Sequence, residues 1–319
     1  MIKKLDTDTI RALSVKNNSF AFLYTASFFF ICSLLVFLQV SFYVNESWIL
    51  FIFTTYISGL FFSFLDQTAV SHEFQHNNVF SSKNLNQFIY KVLMTFSLTN
   101  WIYNKSSHMT HHKYALHKNV DDEFSFEKIN SFILFQLITF NFNYFFRKVI
   151  MLGKNSLGIF PDSNLNKRSS KKFKTKLMYC SRFIILTHIF VFLLFYYFGN
   201  YQVYFLIILN QFIFNFFKDI LVRAQHYKLE HNSNNILEST RSLVINPFLS
   251  YLYWNVNFHV EHHLYPTIPF YNLPKVRNII GSKNIPTIFG FKNFLFILLR
   301  DNYAFFNKQK LQSLNYKKF

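Results

Sequence analysis

From Phe20 the chain reads FAFLYTASFFFICSLLVFLQVSFYV to Val44. It turns through Asn45-Glu46-Ser47 and reads WILFIFTTYISGLFFSFL from Trp48 to Leu65, where Asp66 ends the run. Neither apolar run carries a charged side chain. At about 1.5 Å of rise per residue, a helix as long as the first run reaches across the roughly 30 Å hydrocarbon layer of a bilayer. That run is too long for the apolar core of a signal peptide, and no small-residue cleavage site follows it, so it reads as an anchor that stays in place. With so short a connector, the two runs can only form a helical hairpin.

A second pair lies further on. Phe183 to Phe198 is apolar except for His188. After Gly199-Asn200 the chain continues from Tyr201 to Phe217, and Lys218 ends it. The sequence therefore predicts an all-α membrane protein, one domain over residues 1–319. Four transmembrane helices, at about 20–44, 48–65, 183–198 and 201–217, form two hairpins, and residues 66–182 and 218–319 make a helical cap holding a di-metal site. The helix with His72 and His76 is expected to continue the second span, Leu152–Lys176 to be an exposed loop at an anionic lipid surface, and Phe291–Leu299 to lie in the interface.

The charges test this plan. Of 33 Lys and Arg, Lys3, Lys4, Arg11 and Lys16 precede the first run, and all the others fall between Asp66 and Arg182 or from Lys218 onward. None lies in an apolar run or in the two short turns, so all 33 fall on one side of the four-span plan. The positive-inside rule makes that side cytoplasmic, in a multi-pass integral membrane protein. A net charge of +18 then has a topological origin, and nucleic acid is not an expected partner. Hydrophobic residues make up 51% of the 319, with 46 Phe and only 6 Gly and 6 Pro. Cys32 and Cys180 stand far apart in or beside apolar stretches, give neither a disulfide framework nor a CxxC site, and read as small buried side chains.

Twelve histidines remain, and most are clustered. His72-Glu73-Phe74-Gln75-His76 is an HxxxH. His108-Met109-Thr110-His111-His112 and His259-Val260-Glu261-His262-His263 are each HxxHH. All three boxes fall on the cytoplasmic side, near ends of apolar spans. On a helix, positions i, i+3 and i+4 share a face, so each box is expected to present its imidazoles in one direction. Neutral imidazole is the commonest side-chain metal ligand at physiological pH. An all-nitrogen site fits iron, zinc, copper or nickel by ligand softness, and eight imidazoles exceed what one ion can use, so two ions are implied.

The order HxxxH, HxxHH, late HxxHH resembles the membrane fatty acid desaturase and hydroxylase superfamily. The stretch Asn255-Val256-Asn257-Phe258-His259-Val260-Glu261-His262-His263-Leu264-Tyr265-Pro266, with Ile268-Pro269-Phe270, is similar to its bacterial branch. So are Thr240-Arg241 and the segment His108 to Glu123 with His117, Asp121 and Asp122. The likeness covers roughly Leu65 to Pro274. It implies two Fe2+ ions, O2 as co-substrate, and one more histidine ligand just after the last span. His226, in Ala224-Gln225-His226, fits that place better than His231, and the expected ligands become His72, His76, His108, His111, His112, His226, His259, His262 and His263. Ligating imidazoles commonly give their other N–H to a carboxylate, which makes Glu73, Asp121, Asp122 and Glu261 candidate partners, with His117 and His231 beside them. Glu123 reads equally well as part of a solvated acidic turn, and His188 as a packed residue within a span.

The resemblance further implies that the chain inserts a double bond into the acyl chain of a membrane lipid, with no catalytic residue needed beyond the metal ligands. The same boxes serve hydroxylases and ketolases of fatty acids, sphingoid bases, alkanes or carotenoids. No CxxC cluster or HPGG haem segment occurs in the sequence, so electrons are expected from a separate ferredoxin or cytochrome b5-type protein, which the basic face would attract. A metal transporter would need ionisable groups within its spans, and His188 alone qualifies.

Overall fold

The computed structural model describes residues 4–123, 129–281, 283 and 285–306, without the side chains of 302–306. Lys3, Lys128 and residues 307–319 of the expected domain lie outside the described residues. The fold is mostly helical. In chain order come α1 (Thr7–Ser14), α2 (Asn18–Val44), α3 (Trp48–Ser63), α4 (Val70–Gln75), α5 (Lys83–Phe96) and α6 (Trp101–Tyr114). Then follow α7 (Ser131–Ile138), α8 (Phe142–Ser156), α9 (Asn164–Arg168), α10 (Lys171–Tyr197), α11 (Tyr201–Asn210) and α12 (Phe216–His226). After α13 (Ile236–Ser239) comes β1 (Ser242–Val244), then α14 (Pro247–Leu252), α15 (His259–Leu264), α16 (Leu273–Ile280), β2 (Thr287–Phe289) and α17 (Phe291–Phe306).

Helix starts follow local chemistry. Asn17, Ser82, Asn100, Asn141, Ser170 and Asn246 each sit at an N-cap and accept a backbone N–H two or three residues on, pairing donors that the first turn leaves open. α2 and α3 form the expected hairpin. The buried residues of α2, Ala21, Thr25, Phe28, Cys32, Leu35 and Gln39, recur every three or four positions and make one stripe. Its other faces are apolar too: Phe22, Phe30 and Phe37 are each about two-thirds exposed. α2 and α10 are long and apolar enough to cross a membrane, and α3 and α11 are shorter apolar helices.

Four expectations need correction. First, the helix bearing His72 does not continue the second span. α3 ends at Ser63, and Asp66 breaks the path by accepting Thr68 N and Oγ1 at 3.0 and 2.7 Å. The Asp66 carboxylate is buried, paired with Lys218 at 3.0 Å and bonded by the Tyr144 hydroxyl at 2.6 Å. Burial alone would push it up, but Lys218, Lys148 and Tyr144 hold it well below the usual carboxylate range. Second, the run 201–217 is not one helix. α11 stops at Asn210, residues 211–215 run irregularly with an isolated antiparallel bridge from Ile213 to Phe140, and α12 follows. There Ile213 lies against Gly59, where an added Cβ would stand 2.5 Å from the Ile213 carbonyl oxygen.

Third, Leu152–Lys176 is not a loop. α8 reaches Ser156, Ser163 caps α9, and Ser170 caps α10, which starts well before its apolar half. Fourth, the all-α expectation misses a two-stranded parallel sheet, Ser242–Val244 beside Thr287–Phe289. It ties the chain before the third box to the chain after it. α17 packs against the cap, with Phe294 and Leu298 buried and the Phe291 ring 5.1 and 6.0 Å from the Phe217 and Phe216 rings of α12. Between hairpin and cap, Tyr24 of α2 lies edge-on to Trp254 and Phe270 at 5.3 and 4.9 Å. These rings anchor the segment that carries the third box.

Candidate metal centre

Four pieces of chain converge beneath the hairpins. α4 carries His72, and His76 caps its end. α6 carries His108, His111 and His112. His226 ends α12, and α15 carries His259, His262 and His263. α15 is aimed by a reversal through Trp254 and Asn255, both at positive φ, a costly backbone for a bulky residue that the buried Trp254 ring holds in place.

The nine imidazoles sort into two nests. One holds His72, His76, His108, His112 and His262; the other holds His111, His226, His259 and His263. Within each nest one ring nitrogen from every residue lies within 4.8 Å of all the others. Each HxxHH box feeds both nests, which differs from three rings pointing one way. His108 and His112, four apart, enter the first nest while His111 enters the second. His259 and His263 enter the second while His262 enters the first. The nests touch where His112 stacks on His263, ring centroids 4.3 Å apart.

Nε2 atoms face one another at close range. His108 Nε2 is 2.9 Å from both His76 Nε2 and His112 Nε2, and His112 Nε2 is 3.1 Å from His262 Nε2. In the second nest His259 Nε2 lies 3.0 Å from His226 Nε2 and 3.1 Å from His263 Nε2. In four of the rings the opposite nitrogen fixes the tautomer. His72 Nδ1 meets Glu73 at 2.9 Å, His108 Nδ1 meets Glu123 at 3.0 Å, His111 Nδ1 meets Asp121 at 2.8 Å, and His226 Nδ1 meets the Ser239 carbonyl at 2.7 Å. An imidazole that donates through Nδ1 offers a bare lone pair at Nε2. Lone pairs crowded at 3 Å repel unless a cation sits among them. Metal–nitrogen bonds of about 2.1 Å at right angles put neighbouring ligands about 3.0 Å apart, so the donor set fits two imidazole-bound ions.

Electrostatics agree. Burial, then neighbouring imidazoles, push His76, His108, His112, His259, His262 and His263 well below the ordinary imidazole range. Burial takes His226 down to about 3. Burial pulls His111 down as well, but its Asp121 bond and charge outweigh that and leave it raised. The seven lowered rings stay neutral and able to ligate, and a bound cation would displace the proton that Asp121 favours on His111.

Of the expected partners, Glu73 and Asp121 bond imidazoles. Asp122 instead accepts Asn164 N and Leu165 N at 2.9 Å each, at the start of α9. Glu261 accepts Arg277 Nη1 at 2.8 Å and Ser242 Oγ, so it locks α15 to α16 and β1 rather than bonding a ring. His117 meets the Ala115 carbonyl at 3.3 Å outside both nests, and His231 is exposed. His188 lies between Tyr204 OH and the Thr95 carbonyl, at 3.0 and 2.8 Å. One partner was left open by sequence reading, and one escaped it. Glu123 is partly buried against His108, and burial pushes its carboxyl up to about 7. Its place beside Asp121 was the available signal. Ser239 acts through its backbone, which leaves no residue-type signal.

A family model described as fatty acid desaturase matches residues 46–286, a stretch holding all nine imidazoles. A search of curated proteins found no match.

Proposed function

As the chain belongs to the fatty acid desaturase family, we propose that its nests hold two Fe2+ ions and that it inserts a double bond into the acyl chain of a membrane lipid. The two nests of facing Nε2 atoms carry this reading. His72, His76, His108, His112 and His262 would hold one ion, and His111, His226, His259 and His263 the other. The reduced ions supply the activation of O2 that strips hydrogen from an unactivated methylene. The chain's own residues do the rest. Glu73, Glu123, Asp121 and the Ser239 carbonyl aim the rings by holding Nδ1–H. Burial keeps the rings neutral and keeps water out, and the Phe-rich spans offer the acyl chain an apolar path so that one carbon reaches the metals.

In this reading α2, α3, α10 and the α11–α12 segment are four spans, and the nests face the cytoplasm beneath them. The stretch Asn255 to Phe270 supports a place in the bacterial branch. Electrons arrive from a separate ferredoxin or cytochrome b5-type protein, drawn by the basic face.

Expression in a host of defined lipids, followed by mass spectrometry, tests the reaction. The expected product is lighter than the parent lipid by two hydrogens. One heavier by a single oxygen would make the chain a hydroxylase. Metal analysis tests the ligands: His111→Ala and His262→Ala each lose iron and activity, and either variant retaining both would refute the assignment.

A further inference from the structure

We propose that Arg277 is a positioning residue: through Glu261 it aims α15, and with it two of the four rings of the second nest. The proposal rests on the metal reading above and ties the retention of one ion to a residue outside the ligand set. The state of the third box carries it. His72, His108, His111 and His226 each have a carboxylate or a carbonyl at Nδ1. Among the described residues nothing bonds Nδ1 of His259, His262 or His263, and the Glu73 carboxylate stands 3.9 Å from His262 Nδ1.

Rings without such partners are aimed by the helix that bears them. α15 has six residues, too few to hold a helix alone, and its N-cap residue Phe258 gives no side-chain bond. A cap arrives from elsewhere: the Ser242 hydroxyl of β1 accepts Val260 N at 3.0 Å and donates to Glu261. Arg277 Nη1 donates to the other Glu261 oxygen at 2.8 Å, while Arg277 Nη2 donates to Thr287 Oγ1 of β2 at 2.9 Å. Ser242 and Thr287 pair across the two-stranded sheet, so sheet, carboxylate and guanidinium close a loop of contacts around the start of α15. The guanidinium also lies over the Phe258 ring, 5.8 Å from its centroid.

The pair is costly to break. Glu261 is fully buried and Arg277 nearly so, and removing one partner leaves the charge of the other without compensation. Shape matters as well as charge: a planar fork reaches Glu261 and Thr287 together, which one ammonium on a flexible stem holds less firmly. The consequence is unequal between the nests. α15 supplies His259 and His263 to the second nest but only His262 to the first, which has five rings. A tilt of α15 therefore removes half the ligands of the second nest and one in five from the first.

Iron counted across a chelator series, on the whole chain in neutral detergent kept free of O2, reads each ion without turnover. The parent retains two Fe2+ per chain. Arg277→Met releases one ion at a chelator activity roughly 10- to 100-fold lower and shifts the other by less than about threefold. Adding His226→Ala to Arg277→Met changes little, because both act on the second nest, whereas adding His76→Ala frees the remaining ion. Arg277→Lys, which keeps the charge and loses the fork, falls between the parent and Arg277→Met. Lys148→Met, which removes a buried cation from α8, a helix without ligands, weakens neither ion or both alike. Should Arg277→Met fail to fold, Thr287→Val carries the test and must weaken the same ion at least about threefold, the worth of one hydrogen bond. A parent that holds fewer than two ions sinks the nests and this proposal with them. A parent that holds two, with Arg277→Met or its substitute loosening both equally, neither, or only the ion of the first nest, sinks the proposal and spares the nests.

Discussion

His226 keeps its neutral form down to about pH 3, against an ordinary 6.5, because burial strips water from the charged ring. The six imidazoles lowered with it behave alike. Below pH 6.5 the unfolded chain takes up protons that these folded rings refuse. The metal-free protein therefore loses stability as pH falls from 6.5, with a limiting slope of about 1.4 kcal/mol per pH unit for a single independent ring such as His226. His111, raised, has the opposite sign: its contribution is fully present below 6.5 and is lost only as pH rises through its folded value. Thermal melts of metal-stripped protein should show the decline between pH 6.5 and 5, and a flat profile there would mean the rings are not shielded. The carboxylates give a second prediction. Glu123→Ala frees His108 Nδ1 and should weaken metal binding 10- to 100-fold, as read by competition with a chelator. Asp122→Ala, whose partners are backbone amides of α9, should lower the melting temperature and leave metal affinity alone. The rings were legible in the sequence because HxxHH spacing is a local signature. Which of Asp121, Asp122 and Glu123 serves a ring was not, because tertiary packing decides among three adjacent acids.

At the scale of elements, helix positions were readable wherever apolar runs and Asn or Ser caps coincide, as in α2 and α10. Helix breaks were not. The segment 201–217 carries no charge, and so reads as one span, yet Gln211 and Asn215 spend their amides on main-chain carbonyls. Gln211 Nε2 donates to Phe96 O and Ile208 O, and Asn215 Nδ2 to Gln211 O and Ile213 O. The irregular segment brings Ile213 onto α3 at Gly59, where no side chain stands in the way. Gly59→Ala puts a methyl 2.5 Å from the Ile213 carbonyl, and a backbone neighbour cannot swing aside as a side chain does. The cost should be about 1–3 kcal/mol, the usual penalty for overpacking, seen as a lower melting temperature in detergent. Gly153→Ala in α8, with open space around it, should be neutral or stabilising by up to about 1 kcal/mol. Equal effects from the two substitutions would show that α3 and residues 211–215 do not touch.

Over the whole molecule, one asymmetry of the sequence organises everything: none of the 33 Lys and Arg lies in the four apolar runs or at the turns Asn45–Ser47 and Gly199–Asn200. Buried polar contacts join the two hairpins within those runs. Gln39 of α2 and Asn210 of α11 exchange amide hydrogen bonds of 3.1 and 2.8 Å, and Gln39 also reaches Thr55 of α3 at 3.0 Å. Such bonds hold apolar helices in register where hydrophobic packing gives little selectivity. In the four-span reading, α10 is long enough to cross the layer with residues to spare, whereas the ten residues of α11 rise only about 15 Å, so a fourth crossing would need the irregular segment 211–215 and the first turns of α12. That irregular backbone is tolerable because its groups are paired within the protein: it lies against Gly59 of α3 and bonds the 139–141 link between α7 and α8. Both turns should therefore face away from the cytoplasm. Ser47→Cys and Asn200→Cys, made separately in intact cells, should each react with a membrane-impermeant thiol reagent, while Lys118→Cys, beside the nests, reacts only after permeabilisation. Native Cys32 and Cys180 are buried and should contribute little background. If Asn200→Cys were protected while Ser47→Cys reacted, α10 and α11 would enter the layer and return without crossing it, and charge asymmetry would have misled the span count.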